Sequence, residues 1–186
     1  MKLQVITSNI GKLNEFRAVL PNTEIIHNNE DCYEIQADTL EEVVISCIDQ
    51  LLAKGLNDFI LDDSGLFVDS LDGFPGVYSS YVLRTIGNEG LLKLMENVPD
   101  RTARFKSCIG AHIGSHTIIA HGECQGKIDF AQKGNGGFGF DPVFIPDGYD
   151  ETFAELPLEE KNKISHRGNA IRSFAKQFEE IFRASD

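Results

Sequence analysis

The sequence predicts a mixed α/β domain, and three observations carry that prediction. Apolar segments alternate between short continuous runs, as in buried strands, and the one-sided stripes of amphipathic helices. The chain's 186 residues suffice to bury a substantial core, in one domain or in two closely joined lobes with a cleft between them. Its 41% hydrophobic and 25% charged residues match an ordinary globular protein rather than a disordered or fibrous one. No repeat, low-complexity tract or linker divides the chain, so a single domain over residues 1–186 is expected.

Taken in order, "KLQVIT" reads as a first strand. "GKLNEFRAVL" follows as a helix with Leu13, Phe16, Val19 and Leu20 on one face. "TEIIH" reads as a second strand. "DTLEEVVISCIDQLLAKG" is a second helix: Thr39 and Glu42 have capping-box spacing, Leu40, Val43, Val44, Cys47, Ile48, Leu51 and Leu52 form the stripe, and Gly55 is the stop. "FIL" is a short buried strand, and "EGLLKLMENV" is helical. Arg104 to Ile113 and His116 to Glu123 form two strands around a Gly114-Ser115 turn. Glycine-rich "KGNGGFGFDP" leads into "VFIP", and a last helix carries Ile171, Phe174, Phe178 and Ile181.

Charge narrows the function. With 29 acidic against 17 basic residues, a net charge of −12 argues against long nucleic acid and anionic membranes as partners. A small anionic ligand in a local basic pocket remains compatible. No apolar stretch reaches the roughly 18 residues a membrane span needs, and "MKLQVITSNIGK" lacks a signal-peptide h-region. Four cysteines without a C-x-x-C pair are sparse for a disulfide scaffold, which points to a reducing cytoplasm.

Four stretches have the composition of a site. Thr7-Ser8-Asn9-Ile10-Gly11-Lys12 joins the first strand to a helix N-terminus, where backbone N–H groups and the Lys12 charge favour an anion such as phosphate. Ser8 or Asn9 acting simply as the helix cap is the alternative. The stretch lacks Walker A spacing. In "FILDDSGL" an apolar run stops at Asp62 and Asp63, placing two carboxylates where α/β sheets usually put ligands. Successive strand residues face opposite ways, so the two acids have different jobs, one binding Mg²⁺ or orienting water, the other bracing a turn or a lysine. A turn closed by aspartate, serine and glycine is the competing reading.

"GGFGFDPVF" offers glycines for close backbone approach and Phe138 or Phe140 for stacking on a heterocycle, or else a glycine-rich turn with core aromatics. In "EKNKISHRGNAI", Ser165 is a natural N-cap, which puts His166 and Arg167 in a first turn where a cation opposes the macrodipole. Arg167 there either faces a ligand or pairs with an acid. A fifth grouping, Cys108, His112, His116, His121 and Cys124, looks like a metal cluster but is divided by strand alternation. With a two-residue turn, Ile113 pairs with His116 and Cys108 with His121, leaving Cys108, His112 and His121 on one face and His116 and Cys124 on the other.

Together, "TSNIGK", "DDSGL", "LDGFPGVYSS", "GFGFDPVF" and "TFAELPLEEKNKISHR" occur in an order that resembles the inosine triphosphate pyrophosphatase (Ham1-like) family over nearly the whole chain. The resemblance implies a homodimeric α/β fold with an elongated mixed β-sheet flanked by helices, and a cleft between two lobes. It implies Mg²⁺-dependent hydrolysis of non-standard purine nucleoside triphosphates (ITP, dITP, XTP) to the monophosphate and pyrophosphate. By the same resemblance, Thr7, Ser8, Asn9 and Lys12 hold phosphates, Glu34 and Asp63 bind the metal, Asp63 is the catalytic acid and Ser64 lies beside the substrate. Phe138, Gly139, Phe140 and Asp141 would enclose the base, and Lys161, His166 and Arg167 would complete the nucleotide site. Two departures stand out: Ser46 replaces a helix lysine that many members carry, and the arginine often found soon after "YS" is delayed to Arg84.

The residue types suit that chemistry. Water attacking an α-phosphorus needs a neutralised polyanion, and Mg²⁺ takes carboxylates, water and phosphate oxygens. The alternatives are a pyrophosphatase for other modified nucleotides and a nucleotide sensor without catalysis. A kinase is disfavoured because no kinase signature is present.

Overall fold

The computed structural model describes residues 2–183. Six strands form one mixed sheet in the order β2-β1-β3-β4-β5-β6. Strand β1 (Lys2–Ile6) runs parallel to both β2 (Glu24–Asn28) and β3 (Phe59–Val68). The rest is antiparallel: β3 with β4 (Thr102–Ile113), β4 with β5 (His116–Ile128), and β5 with β6 (Phe144–Pro146). The elongated mixed sheet expected from the family resemblance is present, and β3, β4 and β5 span its length.

Three apolar clusters organise the two ends of these long strands. Helix α1 (Ile10–Val19) and the last helix α6 (His166–Arg183) cover one face, with Leu13, Phe16, Ile171 and Phe174 packed on Ile60, Ile109 and Ala111. Helix α2 (Leu40–Ala53) covers the other face through Val44, Cys47, Ile48 and Leu51 against Phe59, Leu61 and Cys108. Toward the far end a cluster of Leu66, Val68, Phe105, Phe144 and Phe153 takes in α3 (Ser79–Thr85) and α4 (Gly87–Leu94) through Val82 and Leu91. This end is the second lobe.

Local sequence explains the helix starts. Asn9 caps α1, its Oδ1 accepting from the N–H groups of Gly11 and Lys12 at 2.8 and 3.2 Å. Thr39 and Glu42 form the reciprocal capping box at α2 that their spacing predicts, an arrangement contributing about 1 kcal/mol. Gly55 follows with φ +82, a left-handed stop. Ser165 begins α6 by accepting from the Gly168 N–H at 3.1 Å, as the sequence predicts.

Several boundaries differ from the sequence reading. Strand β3 does not stop at the aspartates: Asp62, Asp63, Ser64 and Gly65 pair in register with Ile109, Cys108, Ser107 and Lys106. The turn reading of "DDSG" is therefore replaced by continuous strand. The aspartates still lie just past a strand end, because β1 pairs with β3 only as far as Ile6 with Leu61. The short helices α3 and α5 (Leu158–Ile164) have no long stripe to reveal them. The hairpin register is the expected one, Ile113 opposite His116 and Cys108 opposite His121. Cys32 and Cys47 are joined by a disulfide with Cα atoms 5.4 Å apart, which cysteine spacing did not foretell. Cys108 and Cys124 are free and buried.

Candidate functional site

The strand-to-helix turn after β1, the centre of β3, the glycine-rich loop before β6 and the start of α6 converge on one cavity of about 410 Å³. All of the site residues expected from sequence line it, from Thr7 to Arg167. Two close approaches make this convergence possible. A Cβ on Gly65 would lie 2.3 Å from the Gly76 carbonyl oxygen, so the "FPGVYSS" segment packs on β3 only over a glycine. A Cβ on Gly122 of β5 would lie 2.1 Å from the His166 carbonyl, so the start of α6 likewise rests directly on the sheet.

Strand alternation sends the paired aspartates to opposite faces. Asp62 points toward α6, where its Oδ2 accepts from Arg167 Nε at 2.8 Å and from the Ser64 hydroxyl at 2.9 Å. Lys12 Nζ lies 3.4 Å from Asp62 Oδ1 and donates to the Asp62 carbonyl at 3.1 Å. Burial pushes the Asp62 carboxyl up, but the charges of Arg167 and Lys12 outweigh it and hold the group well below the usual carboxylate range. Asp62 is thus a fixed anion that braces two cations. Ser64, expected beside the substrate, has its hydroxyl inside this brace, accepting from Arg167 Nη2 at 2.9 Å.

Asp63 has the opposite environment. Its Oδ1 accepts only the Ser64 N–H, at 2.8 Å, and Oδ2 has no hydrogen-bond partner among the described residues. Burial raises its pKa to about 7; Lys12 opposes that shift, while Glu34 and Asp62 reinforce it as neighbouring negative charges.

Sequence reasoning missed the residue that completes the brace. Glu15, buried on α1, accepts from Lys161 Nζ at 3.2 Å and from Arg167 Nη1. Lys161 also donates to Asp141 Oδ2 at 2.8 Å, and the same oxygen accepts the Phe138 N–H at 2.7 Å. The only local signal was a glutamate beside the edge of the apolar stripe of α1, adjoining Phe16 in sequence. Arg167 therefore pairs with acids, one of its two sequence alternatives, yet its three hydrogen bonds among the described residues leave two of its five N–H donors for another acceptor. Burial opposes its charge, but Asp62 and Glu15 overcome this and raise its pKa further.

Phe138 and Phe140 separate into different tasks. The half-buried Phe138 ring lies 4.7 Å from Lys161 Nζ and 5.4 Å from the Arg167 guanidinium carbon. Phe140 is buried in the second-lobe core, from which it contributes to the cavity wall. His166 stacks on Phe105 with centroids 4.6 Å apart, and burial, then the Arg167 and Lys161 charges, lower its pKa well below the usual value, so the ring is neutral. Thr7 Oγ1 accepts the Asn9 N–H at 3.0 Å, which shapes the turn that Ser8 exposes. Since Asn9 caps α1, the capping alternative for this residue is realised within the cavity wall.

The cations lining the cavity are Lys12, Lys161 and Arg167. Ser46 is not among the lining residues; its hydroxyl accepts from Gln50 Nε2 at 3.2 Å. Arg84 sits over the Tyr81 ring at 5.4 Å and is likewise absent from the lining. Among the described residues no three His, Cys, Asp or Glu side chains gather as a metal cage. The donor set nevertheless fits a divalent ion completed by substrate oxygens. Asp63 Oδ2 and the exposed Glu34 carboxylate line one cavity without hydrogen-bond partners among the described residues, and Mg²⁺ is commonly held by one or two carboxylates plus phosphates.

Comparison with known proteins agrees with this geometry. The model of the Ham1 family matches residues 3–177. A dITP/XTP pyrophosphatase of Pyrococcus horikoshii is 50% identical over 176 residues, covering 94% of this chain and 95% of the relative. One from Thermococcus kodakarensis is 50% identical over 182 residues, covering 97% and 98%. The solved structure of the Staphylococcus aureus Ham1 protein superposes with a TM-score of 0.82 at 34% identity, covering 97% of this chain and 99% of that one. Sequence match, fold and cavity coincide along almost the whole length, and the chain belongs to the Ham1 family.

Proposed function

We propose that this chain is a nucleoside triphosphate pyrophosphohydrolase that cleaves ITP, dITP and XTP to the monophosphate and pyrophosphate. The observation that carries this reading is the split of the Asp62-Asp63 pair. One acid is spent on bracing Arg167 and Lys12, while the other presents a free oxygen beside Glu34 in the same cavity. Relatives at 50% identity bearing the name dITP/XTP pyrophosphatase support the substrate class.

In this reading Lys12, the Thr7 and Ser8 hydroxyls and the Asn9 side chain meet the triphosphate. Because α2 contributes Ser46 rather than a cation, Lys12 carries most of that load from the protein side. Glu34 and Asp63 would hold Mg²⁺, which when bound neutralises phosphate charge and lowers the pKa of a coordinated water. The Asp63 carboxylate accepts the proton of the attacking water; the new bond forms at the α-phosphorus, the α–β bridging P–O bond breaks, and pyrophosphate leaves. The Asp63 carboxyl has one oxygen without another partner, which leaves it placed to take that proton.

The base stacks on Phe138 between loop 138–141 and the start of α6. Hypoxanthine and xanthine carry a 6-keto oxygen that accepts from the remaining Arg167 N–H groups. Adenine presents a donor there instead, leaving buried donors unpaired at about 1–3 kcal/mol each. Since β3, β4 and β5 run through both lobes, the chain works as one domain over 1–186. We place it in the cytoplasm as a homodimer acting on free nucleotides; no helix among the described residues is long and apolar enough to cross a membrane. The test is a nucleotide panel with Mg²⁺: pyrophosphate released from ITP and XTP but not ATP supports the reading, and orthophosphate as sole product overturns it.

A further inference from the structure

Residues 29–38 carry no helix or strand, although Glu34 in their midst is one of the two carboxylates proposed for the metal. What fixes this segment is a set of links to α2. Gln50 Oε1 accepts the Tyr33 N–H and its Nε2 donates to the Tyr33 carbonyl, each at 2.9 Å. Lys54 pairs with the Glu30 carboxylate at 2.7 Å. These contacts lie on exposed surface, where water competes with each of them. The one covalent link is the disulfide from Cys32, two residues before Glu34, to Cys47 on the buried stripe of α2. Both cysteines line the same cavity as Asp63 and Glu34.

We propose that the Cys32–Cys47 disulfide is a redox-sensitive tether that sets Glu34 opposite Asp63, so that its reduction weakens divalent-cation binding without unfolding the protein. The proposal rests on Glu34 serving as a metal ligand in the functional reading above. Cys32 is half-buried whereas Cys47 is 4% exposed, so an incoming thiolate meets the Cys32 sulfur first. A dithiol supplies the reaction. Its thiolate attacks Cys32 Sγ, the Cys32–Cys47 S–S bond breaks, and Cys47 leaves as a thiolate that takes up a proton. The second thiol of the reductant then attacks the mixed disulfide, releasing the Cys32 thiol and a cyclic disulfide. Two electrons and two protons pass from the dithiol to the protein. Freed of its anchor, the segment keeps the exposed Gln50 and Lys54 contacts and the Asp38 N–H to Glu42 bond at its far end, and Glu34 loses its fixed distance from Asp63. Cys108 shares the apolar cluster of Cys32 and Cys47 but is a free, buried thiol, and Cys124 belongs to the second-lobe cluster, so neither is part of the link.

Three measurements on the full chain test the tether. After exposure to oxidised glutathione, alkylation of the unfolded protein without reductant should modify Cys108 and Cys124 alone; modification of all four cysteines overturns the proposal. Amide hydrogen exchange of residues 29–38 in metal-free protein should speed up on adding dithiothreitol, while the sheet stays protected; unchanged exchange overturns it. The Mg²⁺ concentration giving half-maximal pyrophosphate release from ITP should rise about ten-fold on reduction, the scale on which a metal site responds to losing a supporting contact. Cys32→Ser should show the reduced behaviour with or without dithiothreitol, and identical Mg²⁺ curves for oxidised and reduced wild type contradict the proposal. Should neither form release pyrophosphate, the functional reading fails, while hydrogen exchange still decides whether the tether exists.

Discussion

Asp62 and Asp63 are neighbours in the chain, yet Asp62 Oδ2 lies 2.8 Å from Arg167 Nε while Asp63 Oδ2 has no hydrogen-bond partner among the described residues. One backbone step across the sheet separates a carboxylate braced by two cations from one that faces the cavity with an unpaired oxygen. The difference comes from what packs on each face: α6 and α1 bring cations to Asp62, whereas the cavity beside Asp63 holds another acid, Glu34.

The brace predicts a large cost for losing its hub. Glu15→Gln removes one charge from two buried cations at once, and breaking a buried pair on one side typically costs about 3–5 kcal/mol. Urea unfolding should show that loss. A loss below about 1 kcal/mol, the range of a surface pair, would mean that Glu15 does not hold the charges together.

Proton and metal should compete at Asp63. Its pKa of about 7 means that the Mg²⁺ requirement rises as pH falls below that value, by about ten-fold per unit while other groups stay unchanged. Titrating activity against Mg²⁺ at several pH values checks this. A Mg²⁺ requirement independent of pH on both sides of about 7 contradicts the assignment.

Stability of the metal-free protein should carry the same signature. The folded state holds the Asp63 proton more tightly than the unfolded chain, so its contribution is fully present below the ordinary value of 3.8. It is lost as pH rises to about 7 and is level above that. The difference in Tm between wild type and Asp63→Asn isolates this group from Asp62, whose lowered pKa acts in the opposite sense. Relative to the mutant, wild type should lose stability across that interval; a constant difference rules out the buried, raised carboxyl.

Gly65 should tolerate no side chain. In Gly65→Ala the new Cβ meets the Gly76 carbonyl oxygen at 2.3 Å, backbone against backbone, so one segment must shift. Overpacking of this kind costs about 1–3 kcal/mol. Activity should fall further than stability alone accounts for, because the displaced residue adjoins Ser64 and Asp63. Wild-type unfolding and activity in this variant would show that the approach is not tight.

How far the sequence disclosed this arrangement depended on the range of each signal. The α2 capping box and stripe, the cap at Ser165 and the β4–β5 register are local patterns, and each stands in the fold as expected. The strand expected at "FIL" ends too early, and the turn alternative for "DDSG" stays open, because those polar residues are compatible with a strand only through partners far away, Arg167 and the continuous β4 ladder. Glu15 went unnoticed for the same reason: its partners lie 146 and 152 residues along the chain. Phe138 and Phe140 both follow a glycine in the same loop, and only the second-lobe core separates the ring beside Lys161 from the one packed inside. The Cys32–Cys47 pair depends on how residues 29–38 fold back on α2, which no periodicity encodes.

The central claim is that the chemistry belongs to Asp63 and not to the acidic pair as a whole. Its most direct test is the turnover of ITP by Asp63→Asn with saturating Mg²⁺, read as pyrophosphate released, in protein shown to be folded. The expected result is a fall in kcat of about 10²–10⁴-fold, the contribution of a positioned acid–base group. Near-wild-type turnover by the folded variant would contradict the account.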